Sequence, residues 1–257
     1  AALISGATPQ WIRQRSLSDL ASGESGSRLR LEVISEGRAK REIEIERTLR
    51  EEALAAPEPD KIEELERGIW YVDIDRITDA DFEGARRDLD DSDGLVFDLR
   101  GYPRQLSTVV IAHLIDEPVR CARWNVPKVL EPDRAGMSFD ESDWEVEPQE
   151  PRLEAKVAFI IDGRAISYAE TYMGIIEHYK LAEIVGAPTA GTNGNVNPFT
   201  LPGGYRLTWT GMKVLKHDGS QHHGVGILPT IPAARTIAGV AAGRDELLER
   251  AIAAVRP

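Results

Sequence analysis

The segment KVAFIIDGRAISYAETY, residues 156–172, carries the clearest structural signal in the chain. Residues 157–161 form an unbroken apolar run rich in β-branched side chains, which is typical of a strand buried on both faces. Asp162 and Gly163 interrupt this run. From Ser167 onward, apolar residues recur at helical spacing. The segment is therefore predicted to be a strand, a turn and a helix, with Ser167 at the turn.

Ser167 can be interpreted in two ways on local grounds. Serine is a preferred N-cap residue, so it could serve only to begin the helix. The first amides of a helix lack intrahelical partners and lie at the positive end of the helix dipole, where they can stabilise an oxyanion. The same position therefore suits a nucleophile. The G-x-S-x-G motif of α/β-hydrolases is absent, so that fold gains no support.

Strands alternate with helices ahead of this segment. Residues 69–74 and 94–99 are predicted to be strands, and residues 78–90 between them a helix. Such alternation indicates an α/β architecture with a mainly parallel sheet. Sites in these sheets form at the carboxyl ends of strands, and two segments meet that condition, residues 98–105 and 162–167.

Four further elements are predicted from local pattern. An apolar helix is expected over residues 106–115, and an acidic, proline-containing loop over 131–151. Two alternating segments, residues 205–209 and 212–215, predict a β-hairpin. An amphipathic helix over residues 244–252 is expected to dock its apolar side on the core.

The first 67 residues predict a smaller unit and a connection. Residues 9–20 indicate a helix, and the alternating segments 27–33 and 39–46 indicate a β-hairpin. The charged segment that follows, with two prolines, predicts a linker and a short helix. The first residues resemble the interior of a domain, so we expect a segment upstream of them.

Composition limits the classes of partner. The chain has 257 residues with 42% hydrophobic content, which is enough for one large or two modest domains. A formal net charge of −12 argues against nucleic acid as a partner. No apolar run approaches the length of a membrane span. The single cysteine, Cys121, excludes an internal disulfide framework and has no catalytic motif around it.

Four segments in order resemble peptidase family S41, the carboxyl-terminal processing proteases and the tricorn core. Residues 68–74 resemble the family's opening strand, and residues 94–103 its D-L-R-x-N-x-G-G segment. Residues 165–170 resemble S-A-S-E, with Ser167 in the place of the nucleophile. Residues 186–191 and 224–229 resemble G-E-P-T-x-G and G-x-G-I-x-P-D.

The resemblance implies a fold and a domain arrangement. The expected fold is α/β, a crotonase-like ββα spiral core at residues 68–257, preceded by a partial PDZ-like α+β segment at 1–48 and a linker with a short helix at 49–67. It also implies a peptide or protein substrate taken as an added strand, no cofactor, and a periplasmic or extracellular location. A homo-oligomer is compatible with the sequence.

The chain departs from the family at the position of the catalytic general base. In processing proteases the base is a lysine of the segment G-K-G, and here that position is Thr192, whose hydroxyl cannot act as an amine base. In the tricorn branch a histidine of the opening strand is supported by a glutamate near G-x-x-P-D. The corresponding residues here are Asp73 and His223, an acid and a histidine in exchanged positions.

This exchange suggests a hypothesis for the base. Ser167 would be activated by His223 or His222, with Asp73 orienting the imidazole, because a neutral imidazole is a good base near neutral pH and a carboxylate fixes its tautomer. The alternative is that both histidines are loop residues and Asp73 is a surface residue at the end of a strand.

The resemblance also implies an oxyanion site of two backbone amides. One is the amide of Tyr168, after the nucleophile, and the other comes from the loop after the second strand. Proline occupies that loop at Pro103 and has no amide hydrogen, so the second donor would be Gly101 or Arg104.

Other candidates are weaker. His178 lies about three helical turns from Ser167, or roughly 16 Å along the axis, and His113 lies on an apolar segment. Lys213 and Lys216 alternate with apolar residues on the predicted hairpin, which is typical of a solvated face. No spacing of histidines and carboxylates resembles a metal site.

Three functional classes stay open. The first is a serine endopeptidase acting on extended or unfolded polypeptides through an acyl-enzyme on Ser167, as in tail-specific proteases. The second is an inactive relative that binds peptides or serves as a scaffold, which the missing lysine and glycines favour. The third is an acyl-CoA hydratase type enzyme on the crotonase fold, which ranks last because nothing in the sequence suggests a nucleotide pocket.

Overall fold

The computed structural model describes residues 4–34, 39–48 and 59–257. The helices are α1 (Pro9–Ser18), α2 (Asp79–Asp90), α3 (Val109–Ala112), α4 (Tyr168–Tyr179), α5 (Ile237–Ala241) and α6 (Glu246–Val255). The strands are β1 (Arg28–Val33), β2 (Arg41–Glu46), β3 (Ile62–Glu66), β4 (Ile69–Asp73), β5 (Gly94–Asp98), β6 (Val119–Arg120), β7 (Trp124–Lys128), β8 (Ser138–Ser142), β9 (Glu145–Val146), β10 (Lys156–Ile161), β11 (Glu183–Gly186), β12 (Asn197–Thr200), β13 (Arg206–Trp209), β14 (Lys213–Val214) and β15 (Ile231–Pro232).

A six-stranded sheet organises the molecule, in the order β15-β11-β10-β5-β4-β3. Neighbouring strands from β15 to β4 are parallel, and β3 alone is antiparallel, at one edge. The mainly parallel α/β sheet predicted from sequence is therefore confirmed. Every residue of β5 is buried, and so are the last five of β10, because helices cover both faces of the sheet.

The two sheet faces carry separate apolar cores. On one face, Phe97 stacks on Phe159 at a centroid distance of 5.0 Å, and Tyr172 of α4 lies 6.3 Å from Phe159. On the other face, α6 contributes Leu247, Leu248, Ala251 and Val255 to a core with Ile160 of β10. The predicted amphipathic C-terminal helix is thus confirmed. Because α4 and α6 lie on opposite faces, the sheet separates the side chains that pack against α4 from those that pack against α6.

The N-terminal unit contacts the core beside the turn that carries Ser167. Helix α1 is present as predicted, and β1 pairs antiparallel with β2; the predicted turn of this hairpin, residues 35–37, lies outside the described residues. Thr8, which caps α1, is buried and donates its hydroxyl to the carbonyl of Ala190 at 2.7 Å. The Gln10 side chain donates to the carbonyl of Thr189 at 3.0 Å.

Several local predictions were wrong. The short helix expected before residue 67 is the strand β3, because residues 62–66 pair with β4 across a turn at Gly68. The helix expected over 106–115 is reduced to the four residues of α3. The loop expected over 131–151 contains β8, which pairs with β7.

The C-terminal hairpin pairs differently from the prediction. Strand β13 pairs with β12 and not with residues 212–215, and β14 pairs with β7 instead. The reason is the turn at Gly203 and Gly204, whose φ values of 91° and 83° suit glycine and reverse the chain directly after β12. Within the described residues, no helix is long and apolar enough to cross a membrane.

Candidate active site

Ser167 precedes α4 in a backbone conformation that ordinary caps do not use. Its φ of 57° and ψ of −114° contrast with the extended backbone of Thr8 and Thr78, which cap α1 and α2. A positive φ is uncommon for any residue except glycine and costs about 1–3 kcal/mol where the region is sparsely populated. Such strain collects at functional sites, and it sets Ser167 apart from a simple capping serine.

Glu170, in the first turn of α4, holds the backbone around Ser167. Its side chain is buried, and it accepts hydrogen bonds from the Thr189 hydroxyl at 2.6 Å and the Gly191 amide at 2.7 Å. Its other oxygen accepts from the amides of Thr192 at 3.0 Å and Ser167 at 3.3 Å. One carboxylate thus ties the start of α4 to the loop after β11.

Thr192 occupies the position where the family resemblance places a lysine, and its backbone is part of the site. Its carbonyl accepts the Ser167 amide at 3.1 Å, while its own amide donates to Glu170. Backbone contacts on both sides therefore fix the serine relative to this loop.

His222 is the histidine that the fold brings to this cluster. It is buried, and its Nε2 lies 3.4 Å from the Glu170 Oε2 atom. Nε2 is fully buried without a hydrogen bond among the described residues, and Nδ1 is not among such atoms. Nε2 therefore faces Glu170, and Nδ1 is the ring nitrogen left for another partner.

A tight turn fixes the backbone of His222. Its carbonyl accepts the amides of Val225 at 3.0 Å and Gly226 at 2.9 Å. Gly226 has a φ of 80°, and a Cβ there would lie 2.6 Å from the Thr189 hydroxyl oxygen. Glycine is required at this position because the turn packs directly on the loop that Glu170 holds.

The structure does not bring Asp73 to His222. The Asp73 carboxylate accepts from Arg76 Nε at 2.6 Å and from the amide of Asp75 at 2.9 Å. It lines a cavity of about 600 Å³ with residues of α6, such as Leu248. Tyr71, two residues earlier in β4, packs in the α6 core. Because side chains alternate along a strand, Asp73 follows Tyr71 to the sheet face opposite α4.

His223 also lies apart from the buried cluster. The residue is exposed, and its carbonyl accepts the Gln221 side chain at 2.6 Å. Of the two neighbouring histidines, only His222 is buried against Glu170.

The loop after β5 lies beside the start of α4. The rings of Tyr102 and Tyr168 are 6.2 Å apart, and the Arg104 guanidinium lies 3.3 Å from Asp75. Among the described residues, the amides of Tyr168, Gly101 and Arg104 donate to no other group. All three amides therefore stay available as donors.

The sequence profile of peptidase family S41 matches residues 68–233. The chain belongs to peptidase family S41. Its fold resembles solved S41 structures at low identity, and no curated protein matches it.

Mature CPAF complexed with lactacystin is 12% identical, with a TM-score of 0.66, and the alignment covers 91% of this chain and 69% of CPAF. A candidate peptidase from Parabacteroides merdae is 17% identical, with a TM-score of 0.63, and coverage is 76% and 64%. Tricorn protease is 17% identical, with a TM-score of 0.50, and coverage is 93% and 23%. The chain thus spans less than two thirds of the Parabacteroides protein and about a quarter of tricorn.

Glu170 is the residue of this candidate site that sequence reasoning left out. The spacing Ser-x-x-Glu is a capping-box pattern, which could have marked Glu170 as a partner of the Ser167 backbone. Its contacts with Thr189, Gly191 and His222 join positions 19 to 52 residues away, so they could not be read from local pattern.

Two other basic residues that sequence analysis considered contact neighbouring side chains. Lys216 donates to both carboxylate oxygens of Glu177, at 2.7 and 2.9 Å, so its ammonium is held by an acid. His178 stacks on His217 at 4.1 Å. Burial, with Asp79 nearby, raises the pKa of Tyr168 to about 12, which keeps that phenol neutral.

Proposed function

We propose that this S41 chain is a serine endopeptidase that hydrolyses extended or unfolded polypeptides through an acyl-enzyme on Ser167. The strained backbone of Ser167 at the start of α4 carries this proposal. It lies at the carboxyl end of a central parallel strand, where sites of α/β sheets form. The family makes peptides or proteins the expected substrates.

His222 is the proposed general base. Its Nδ1 would take the proton of the Ser167 hydroxyl as the oxygen attacks the scissile carbonyl, and then pass it to the leaving amine. Water would then hydrolyse the acyl-enzyme with the same imidazole as base. Glu170, which faces Nε2 at 3.4 Å, is the carboxylate best placed to fix the tautomer and stabilise the imidazolium. Glu170 would take the orienting role that the sequence hypothesis gave to Asp73, and of the two histidines in that hypothesis His222 would be the base.

Backbone amides would stabilise the tetrahedral intermediate. The amide of Tyr168 lies at the positive end of the twelve-residue helix α4. The second donor would be the amide of Gly101 or Arg104, on the loop that contacts Tyr168 through Tyr102. Preorganised donors of this kind are commonly the largest single contribution to acyl-transfer catalysis.

The second candidate function is an inactive S41 relative that binds peptides or serves as a scaffold. Two observations favour it: Thr192 replaces the expected lysine, and Pro103 removes one amide donor from the oxyanion loop. Peptide binding alone needs neither a base nor an oxyanion site.

The N-terminal unit is proposed to be part of a PDZ-like domain. Helix α1 and the β1–β2 hairpin are compatible with such a fragment. A location outside the cytoplasm would follow from the PDZ-bearing branch of the family.

Covalent labelling by a fluorophosphonate separates the two candidate functions. The wild-type protein is expected to form an adduct that peptide mapping places on Ser167, and Ser167→Ala to form none. Ser18→Ala is a matched control because Ser18 is exposed and bonds only its own helix. Absence of labelling in wild type between pH 5 and 10 would favour the inactive relative.

A further inference from the structure

The hairpin of β12 and β13 exposes a continuous apolar face. The register pairs Phe199 with Leu207 and Asn197 with Trp209, and side chains that face each other across a pair share one face. The members of this apolar hairpin face, with their exposed fractions, are Phe199 (44%), Leu201 (43%), Tyr205 (73%), Leu207 (40%) and Trp209 (54%). The opposite face is mainly polar, with Thr200, Arg206 and Thr208.

Nothing in the described part of the chain covers this face. Strands β12 and β13 form a two-stranded sheet that pairs with no other described strand, and every residue in both is exposed. Isolated two-stranded hairpins are marginal in water, and contiguous apolar patches on a surface mark binding sites. A molecule other than this part of the chain is therefore expected to cover it.

The segments at the two ends of the hairpin lie next to the candidate active site. Thr192, whose backbone bonds Ser167 and Glu170, lies five residues before β12. The next residue, Asn193, donates to the Thr171 hydroxyl of α4 at 2.9 Å. At the other end, Thr210 lies against Gly194, where a Cβ would be 2.9 Å from the threonine hydroxyl oxygen. Both ends of the hairpin thus lie at the loop whose Thr192 carbonyl accepts the Ser167 amide.

Charge supports an unfolded polypeptide as the occupant. The whole chain carries 43 acidic residues, but residues 196–209 contain none and one basic residue, Arg206. An apolar segment of a substrate would meet no carboxylate to desolvate on this face.

Area argues against a second copy of the chain. A large aromatic side chain buries about 150–250 Å² in full, so the five partly exposed side chains offer about 500 Å². A stable protein interface buries about 800 Å² on each partner. The face is too small for a stable dimer by itself and large enough for one strand of peptide.

We propose that the apolar hairpin face binds an apolar, extended segment of the substrate polypeptide next to the bond that Ser167 cleaves. The proposal rests on the proposed function for the cleavage, but binding by itself needs no active nucleophile. Binding at this face would make the protein select unfolded proteins with exposed apolar segments over short or charged peptides.

The test measures binding of fluorescein-labelled β-casein, an unfolded apolar protein, by anisotropy in a Ser167→Ala background. Adding Leu207→Thr and Trp209→Thr keeps β-propensity and removes apolar area, so Kd should rise about tenfold or more. The matched control, Thr200→Ser with Thr208→Ser, alters the opposite face and should leave Kd unchanged. In the Ser167 parent, the Leu207 and Trp209 changes should raise KM for β-casein and spare kcat.

Two results would overturn the proposal. One is an unchanged Kd for β-casein in the Leu207→Thr, Trp209→Thr variant. The other is a dimer in sedimentation velocity that these two substitutions dissociate, which would make a second copy the occupant. Failure of the proposed function is recognised separately, because a wild-type protein that no fluorophosphonate labels can still bind β-casein through this face.

Discussion

Replacing Glu170 by glutamine should destabilise the protein strongly while hardly changing the size of the side chain. If the glutamine oxygen keeps the bonds to the Thr189 hydroxyl and the Gly191 amide, its NH₂ group must face two amides, those of Thr192 at 3.0 Å and Ser167 at 3.3 Å. Donors then face donors, and both bonds are lost. In the alternative orientation the oxygen keeps the Thr192 and Ser167 amides, and the Thr189 hydroxyl can accept from the NH₂ group, but the Gly191 amide then faces a donor and its bond is lost.

The size of the effect follows from these bonds. A hydrogen bond to a charged group contributes about 1.5–3 kcal/mol, and an unsatisfied buried donor costs about 1–3 kcal/mol. In the less costly orientation one short bond, that of Gly191, is lost at a buried site, which gives a decrease of about 2–3 kcal/mol in the free energy of unfolding. Total stabilities are commonly about 5–15 kcal/mol, so the loss is easily measured.

Urea unfolding followed by circular dichroism measures this change for Glu170→Gln. Glu249→Gln is the matched control, because Glu249 pairs with Arg244 on the exposed surface and should leave the unfolding free energy within error. A Glu170→Gln protein as stable as the control would refute the inference that this carboxylate holds the loop to α4.

Three further predictions concern the backbone, a charge and the N-terminal contact. Ser167→Gly should be about 1 kcal/mol more stable than Ser167→Ala in urea, because glycine accepts the positive φ without strain; equal stabilities would argue against strain. A hydrogen bond from Lys61, with others from Thr78, lowers the pKa of Asp81 from 3.8 to about 2. Ionised Asp81 therefore stabilises the folded state at pH values above 3.8, and this stabilisation is lost as the pH falls to about 2. The stability advantage of wild type over Asp81→Asn should therefore shrink between pH 5 and pH 2, and a constant difference would contradict this. Thr8→Val removes both the buried bond to Ala190 and the cap bond from the Trp11 amide, so it should speed amide exchange in α1 but not in β10; unchanged exchange in α1 would show that the Thr8 hydroxyl does not hold the helix.

Elements with strong local patterns could be predicted from the sequence. The apolar run of β10, the helical spacing of α4 and the amphipathic pattern of α6 each point to one structure. The same two patterns predict Ser167 at the strand-to-helix turn.

Elements that depend on distant pairing could not be predicted. Three of the five residues 62–66 are glutamates and the segment has no strong β-pattern, and it becomes a strand only because β4 offers an edge. Residues 212–215 alternate as a partner strand of β13 would, but the turn at Gly203 and Gly204 pairs β13 with β12 instead.

The candidate site shows the same limit. Alignment with the family pairs Asp73 with His223. Side-chain alternation in β4 instead directs Asp73 to the sheet face that α6 covers. The contact of His222 with Glu170 spans 52 residues and depends on the turn at Gly226.

The rate at which a fluorophosphonate acylates Ser167 in His222→Ala and His223→Ala, compared with wild type, tests the central claim most directly. A general base contributes about 10²–10⁴-fold, so His222→Ala should lower the rate about 100-fold or more at neutral pH. His223→Ala, which changes an exposed neighbour, should stay within about threefold of wild type, since surface substitutions have small effects. A wild-type rate in His222→Ala, or a collapse in His223→Ala alone, would contradict the assignment of His222 as the base for Ser167.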